Sequence, residues 1–176
     1  MNLFERGIDM NLLSVDPGTH YTGYALWNKT HTTMRLLQYG LIRANQFSWV
    51  ERVQHIRFEI HERLSMTADV TTWEELVIEF PELQTGERGT NASRQGDTLK
   101  LAFLCGALMR GTTRLFTPSQ WKGQMTKQMT ATRMLKHWPM LRIVQKIDYN
   151  WADAVMLGVM TSVREVGSSV PVRVDL

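Results

Sequence analysis

Sulfur chemistry is scarce in this chain: a single cysteine, Cys105, stands in 176 residues. A lone thiol excludes a disulfide framework and a cysteine-based metal site, and it favours a reducing, cytosolic setting. Long hydrophobic runs are missing as well. The longest, Phe103-Leu104-Cys105-Gly106-Ala107-Leu108-Met109, is closed off by Lys100 and Arg110 and falls well short of the ~20 residues of a membrane span. The start lacks the basic-then-apolar layout of a signal peptide. Met10-Asn11-Leu12-Leu13 echoes Met1-Asn2-Leu3-Phe4, so residues 1–9 read as a leader outside the fold. Acids are nearly absent from the middle. Between residues 83 and 147 eleven Lys/Arg face only Glu87 and Asp97, so a net charge of +3 hides +9 in this stretch and −6 elsewhere. Charge separated this far within one domain marks a basic face for a polyanion, and nucleic acid is favoured over a set of solvated lysines. Arg88, Arg94 and Lys100 are candidate phosphate contacts there.

What is present is one domain's worth of chain with a full core. Its most telling stretch is Ser14-Val15-Asp16-Pro17-Gly18-Thr19, between the apolar Leu12-Leu13 and a strand-like Thr22-Gly23-Tyr24-Ala25-Leu26-Trp27. Pro-Gly forces a turn, so the Asp16 carboxylate is fixed at a strand's exit. Taken alone, D-P-G is more often a turn aspartate bonded to its own backbone. Two further acids change the weighting. Glu79 ends the short apolar run Glu75-Leu76-Val77-Ile78-Glu79-Phe80-Pro81, which reads as a buried strand. Asp153 lies in Trp151-Ala152-Asp153-Ala154-Val155-Met156-Leu157-Gly158, near the start of an apolar helix. Buried element ends are costly places for unpaired carboxylates. Three of them at three such ends point to one shared site neutralised by cations.

The pattern gives strands over 11–16, 22–28 and 34–42 as an antiparallel meander, then an amphipathic helix within 46–66 carrying Val50, Val53, Arg57, Ile60 and Leu64. Strand 76–80, a polar loop from 83 to 93, and a helix over 93–110 with Leu99, Ala102, Phe103 and Gly106 facing inward come next. A short strand, Arg114-Leu115-Phe116, and helices 130–138 and 151–165 complete the reading. A right-handed crossover through the first helix lays strand 76–80 parallel to strand 11–16. Asp16 and Glu79 then meet at the carboxyl edge, where open α/β sheets place their ligands.

Taken in order, these residues resemble RuvC-type Holliday-junction resolvases of the ribonuclease H-like superfamily. Ser14-Val15-Asp16-Pro17-Gly18-Thr19 with Thr22-Gly23-Tyr24-Ala25 resembles their opening, and Val77-Ile78-Glu79 their second acidic strand. Thr98-Leu99-Lys100-Leu101 with Gly106 resembles the next helix. Thr117-Pro118-Ser119-Gln120-Trp121-Lys122 resembles a Pro-x-x-(apolar)-Lys segment, and Ala152-Asp153-Ala154-Val155 the final helix. The likeness runs from about residue 11 to 160. Actin-like ATPases share the opening motif, but that fold duplicates the domain and one copy fills this chain.

The resemblance implies an α/β fold with a five-stranded mixed sheet in order 3-2-1-4-5 flanked by helices, a nuclease domain over 10–166 and a tail over 167–176. It implies a homodimer that cuts four-way DNA junctions and other branched DNA, hydrolysing phosphodiesters to 3′-hydroxyl and 5′-phosphate ends. Two Mg²⁺ ions, replaceable by Mn²⁺, would be held by Asp16, Glu79 and Asp153, with Lys122 a catalytic and DNA-contacting position and Lys127 or Arg133 a second basic one. Bacterial members carry an acid or histidine three residues before the last aspartate; here that place is Asn150, whose amide oxygen or a neighbouring Asp148 would serve. Their aromatic wedge after the second acid is replaced by Glu82 behind Phe80-Pro81. The divergence is closer to phage-type resolvases. A relative weakened in catalysis, and an RNA-directed nuclease, are the alternatives. Trp121 offers an indole for base stacking. Trp27, Trp73, Trp138 and Trp151 read as core or interface residues, and His20 as a turn histidine rather than an auxiliary base.

Overall fold

The computed structural model describes residues 9–30, 32–46, 48–66, 70, 72–82, 96–143, 148–165 and 173–175. Arg88, Arg94, the loop from 83 to 93 and nearly all of the leader lie outside the described residues. Three strands open the fold: β1 (Met10–Asp16), β2 (Tyr21–Lys29) and β3 (Thr33–Arg43). Helix α1 (Trp49–Ser65) leads to β4 (Glu75–Glu79), and α2 (Asp97–Leu108) to β5 (Thr112–Phe116). The short α3 (Pro118–Trp121), then α4 (Lys127–His137), α5 (Tyr149–Glu165) and β6 (Arg173–Asp175) follow. The sheet order is β5-β4-β1-β2-β3-β6. Strands β1–β2 and β2–β3 pair antiparallel, while β1–β4 and β4–β5 pair parallel. The five strands expected from the sequence therefore stand in the expected order. A three-residue β6 adds parallel to the outer edge of β3.

Period-two alternation divides the apolar side chains between two layers. Leu13 and Val15 of β1, with Leu76 and Ile78 of β4, pack against Val53, Ile56, Ile60 and Leu64 of α1 and Leu104, Cys105 and Leu108 of α2. Leu12 and Val77 point the other way, into a layer built by Met134 of α4 and by Trp151, Ala152, Val155 and Leu157 of α5. Asp16 is in phase with Leu12, and Glu79 with Val77. Both acids therefore face the α5 side. The register runs from Leu12↔Glu75 to Val15↔Ile78, so the next step sets Asp16 beside Glu79.

A capping box starts α1: the Ser48 hydroxyl accepts from the Glu51 N–H at 3.2 Å, and the Glu51 carboxylate accepts from the Ser48 N–H at 3.1 Å. Its buried stripe includes Ile56 and leaves Val50 exposed, one step from the stripe read in the sequence. Helix α2 corrects the sequence reading more sharply. Its inner face is Leu104, Cys105 and Leu108, while Leu99 and Phe103, expected inside, are 77% and 55% exposed. The helix is apolar on both sides, so periodicity alone does not select the packed face. Trp27, Trp73, Trp138 and Trp151 are all buried.

Gly23 sets where α5 begins. It pairs with Asp16 across β1–β2, and a Cβ built on it would overlap the backbone of Asn150 and Trp151. Only a hydrogen side chain lets the start of α5 settle directly on the sheet beside Asp16. Gly23→Ala is expected to destabilise the fold by about 3 kcal/mol or more, the scale of overpacking against a rigid neighbour. Urea denaturation measures it; a loss below about 1 kcal/mol would mean that α5 moves freely over β2.

Candidate active site

Three carboxylates and two ammonium groups meet at the carboxyl edge of the sheet. Asp16 ends β1, Glu79 ends β4, and Asp153 lies one turn into α5, which starts two residues earlier than the sequence suggested. Asp153 is fully buried and Asp16 nearly so. Lys122 Nζ lies 2.9 Å from Glu79 Oε2 and 2.9 Å from Asp153 Oδ2. Lys127 Nζ lies 2.7 Å from Asp16 Oδ2, 2.6 Å from Asn150 Oδ1 and 3.7 Å from Asp153 Oδ2. Each ammonium thus ties two acids together, and all three acids belong to one cluster. Asn150 donates its Nδ2 to the Tyr21 carbonyl at 3.1 Å, which turns its amide oxygen toward the site.

The chain reaches this arrangement by local means. Phe116 ends β5 beside Glu79, and Pro118 opens α3 immediately afterwards. The Thr117 N–H donates to Gln120 Oε1 at 2.8 Å, closing that turn and swinging Trp121 and Lys122 back over β4. Thr126 caps α4 by accepting from the Met129 N–H at 3.2 Å, so Lys127 sits in its first turn. A cation there opposes the helix dipole. Its pairing with Asp16 and Asn150 offsets that cost.

Electrostatics at the cluster follow from burial. Desolvation, with Glu79 and Asp153 adding to it against the pull of Lys127, pushes the Asp16 carboxyl from 3.8 up to about 7. Burial likewise raises Asp153 against the pull of Lys122 and Lys127. Both lysines are raised: burial opposes their charge, but Glu79 and Asp153 outweigh it at Lys122, and Asp16 and Asp153 at Lys127.

Among the described residues no three carboxylates, imidazoles or thiols are spaced as a ready metal cage; the three acids meet through the ammonium groups of Lys122 and Lys127. The donors nevertheless fit a hard divalent cation. They are all oxygens, and Asp153 Oδ1 is buried with no hydrogen-bond partner among the described residues. An orphaned carboxylate oxygen at the centre of an acidic cluster is the kind of atom a cation satisfies.

Trp121 departs from the stacking role read for it. It is 2% exposed, and its Nε1 donates to Glu79 Oε2 at 2.7 Å while Lys122 Nζ lies 4.8 Å from the ring centroid. The indole therefore orients Glu79 and supports Lys122. The sequence signal for this was only the adjacency of Trp121 to Lys122. Trp121→Phe keeps the ring and removes the N–H; we expect a stability loss of about 1.5–3 kcal/mol, that of one hydrogen bond to a charged group. Unchanged urea unfolding would show that Glu79 does not use this donor. Lys100 is engaged with Asp97 at 3.1 Å on α2, and Arg133 is exposed on α4, outside the cluster. His20 is exposed against Arg52 at 3.3 Å, as a turn histidine would be.

A mixed sheet in this order, with acids at the carboxyl edge and a helix laid across them, is the ribonuclease H-like fold. Its particular arrangement is that of RuvC. Thermus thermophilus RuvC in complex with a Holliday junction substrate matches with a TM-score of 0.56 at 19% identity, covering 92% of this chain and 99% of that one. A further structure of the same protein matches at 0.52 and 19%, with the same coverage. No protein-family model matches the sequence, and no curated protein does. The likeness is one of fold.

Proposed function

We propose that the chain is a divalent-metal-dependent endonuclease that cuts branched DNA, four-way junctions among it, as a homodimer. The observation that carries the reading is the linkage of Asp16, Glu79 and Asp153 through Lys122 and Lys127 on one side of a RuvC-like sheet, with an oxygen of Asp153 left without a hydrogen-bond partner among the described residues. Asp16, Glu79 and Asp153, with the amide oxygen of Asn150, would hold the cations, Mg²⁺ or Mn²⁺. Bound there, such ions activate water for attack on a phosphodiester and stabilise the leaving oxygen.

The chain's own residues supply the rest. Lys122 and Lys127 keep the acids together without metal, and both carry positive charge to the place where a scissile phosphate would lie. Trp121 and Lys122 both hold Glu79 at the same oxygen, Oε2. The basic stretch supports a polyanionic substrate through phosphate contacts. A homodimer is supported by α2, where Leu99, Phe103 and Gly106 form an exposed stripe behind a face already packed in the core.

The test incubates purified protein with labelled four-way junction, flap and duplex DNA, in Mg²⁺ and in EDTA. Metal-dependent nicking of branched over duplex DNA supports the proposal. Junction binding with no cleavage in either Mg²⁺ or Mn²⁺ would replace it with a non-catalytic binding protein, a reading favoured only by the two ammonium groups between the acids. Among the described residues no helix is long and apolar enough to cross a membrane.

A further inference from the structure

A second charged pocket lies at the opposite end of the sheet, by the amino-terminal edges of β4 and β5. Its volume is ≈ 80 Å³, and its polar lining is Arg57 and His61 of α1, Trp73 before β4, and Arg110 after α2. Strand β4 separates it from Glu79; five residues at ~3.3 Å each put the two sites roughly 16 Å apart. One water needs only about 10–15 Å³, so the space accommodates a larger polar group.

Among the described residues the indole donor of this pocket lacks an acceptor. Trp73 is 6% exposed, and its Nε1 is buried with no hydrogen-bond partner among the described residues. The His61 ring lies over Trp73 at 5.1 Å between centroids. Burial, then the positive charges of Arg110 and Arg57, hold the His61 imidazole below its ordinary pKa. Among the described residues no carboxylate lines the pocket. Two guanidinium groups at the rim, an imidazole beside them and a stranded indole N–H at the floor form, among the described residues, a site suited to an anion. We propose that this pocket binds a phosphate group. Phosphate supplies the acceptor oxygens that the indole needs, and its geometry matches the guanidinium fork in two-point contact.

The test titrates inorganic phosphate into the full chain at constant ionic strength, following the His61 ring resonances by NMR, assigned by their loss in His61→Gln. We expect a saturable shift and a rise in the His61 pKa, since a nearby anion favours the imidazolium. Arg110→Gln and Arg57→Gln should each weaken phosphate by roughly tenfold or more, the loss of one hydrogen bond to a charged group. Asp16→Asn should bind phosphate as the parent does, which separates this pocket from the lysines of the acidic cluster. Both arginines are exposed, and the His61 resonances themselves report whether each variant is folded. A short DNA duplex that displaces phosphate from His61 assigns the pocket to backbone phosphates; a duplex without effect assigns it to a small phosphorylated molecule. A shift that does not saturate, or that survives both arginine substitutions, overturns the proposal.

Discussion

Asp16→Asn is expected to abolish metal-dependent cleavage while yielding a protein more stable than its parent above neutral pH. The substitution keeps the shape of the side chain and removes a buried negative charge from a cluster in which three carboxylates face two ammonium groups. An amide does not hold divalent cations against water as a carboxylate does. The stability change follows from linkage. The folded protein holds the Asp16 proton up to about pH 7, whereas the unfolded chain releases it near 3.8. Across that window the folded state binds the extra proton, so the parent loses stability as pH rises and levels off above it. Asparagine binds no proton there. Its advantage grows from about pH 4 to about pH 7 and then stays constant, on the order of a few kcal/mol, a net value that already contains the pull of Lys127. Urea denaturation in EDTA on either side of neutrality measures this, and cleavage of a labelled junction in Mg²⁺ measures the loss. A variant that cuts like the parent would return Asp16 to a turn residue. One that is less stable at high pH would show that the Lys127 pair outweighs burial.

Both effects rest on features legible in different degrees. The strand order and the meeting of Asp16 with Glu79 were readable because side chains alternate strictly along a strand. Once Leu13, Val15, Leu76 and Ile78 occupy one layer, the acids belong to the other. Asp153 was readable because an acid inside Trp151–Leu157 has no apolar reason to be there. The packed face of α2 was not readable. Leu99 and Phe103 are as apolar as Leu104 and Leu108, and only the position of the neighbouring helix decides which pair is covered. The partners of the acids were half hidden. Lys122 and Lys127 carried a basic signal, but a lysine beside DNA and a lysine bridging two carboxylates look the same in a sequence. Trp121 was misread because base stacking and hydrogen bonding both call for an indole. What decides is the turn at Pro118, which folds Trp121 under Glu79 instead of outward.

Those lysines carry the other large effect. Lys122→Ala should destabilise the protein strongly in EDTA and make it far more responsive to divalent metal. Lys122 is 8% exposed, and its ammonium is shared between Glu79 and the fully buried Asp153. Without it, the nearest cation to Asp153 among the described residues is Lys127, 3.7 Å from Oδ2 and already engaged by Asp16 and Asn150. Removing one partner of a buried ion pair leaves an uncompensated charge, a loss of about 3–5 kcal/mol. For a chain of this size each kcal/mol is roughly 2–4 °C in Tm, so a fall of about 10 °C is expected. A metal held by the same carboxylates must compete with the ammonium in the parent and meets less competition in the variant. Mn²⁺ should therefore raise the Tm of Lys122→Ala more than that of the parent, since stabilisation by a ligand grows with its concentration relative to Kd. Lys136→Ala, an exposed position on α4, is the control and should leave both Tm values near the parent's. If Lys122→Ala unfolds like the parent in EDTA, the ammonium is not what neutralises the cluster. If Mn²⁺ stabilises the two proteins equally, the metal binds away from Glu79 and Asp153, and the acids at the sheet edge are then held for structure alone.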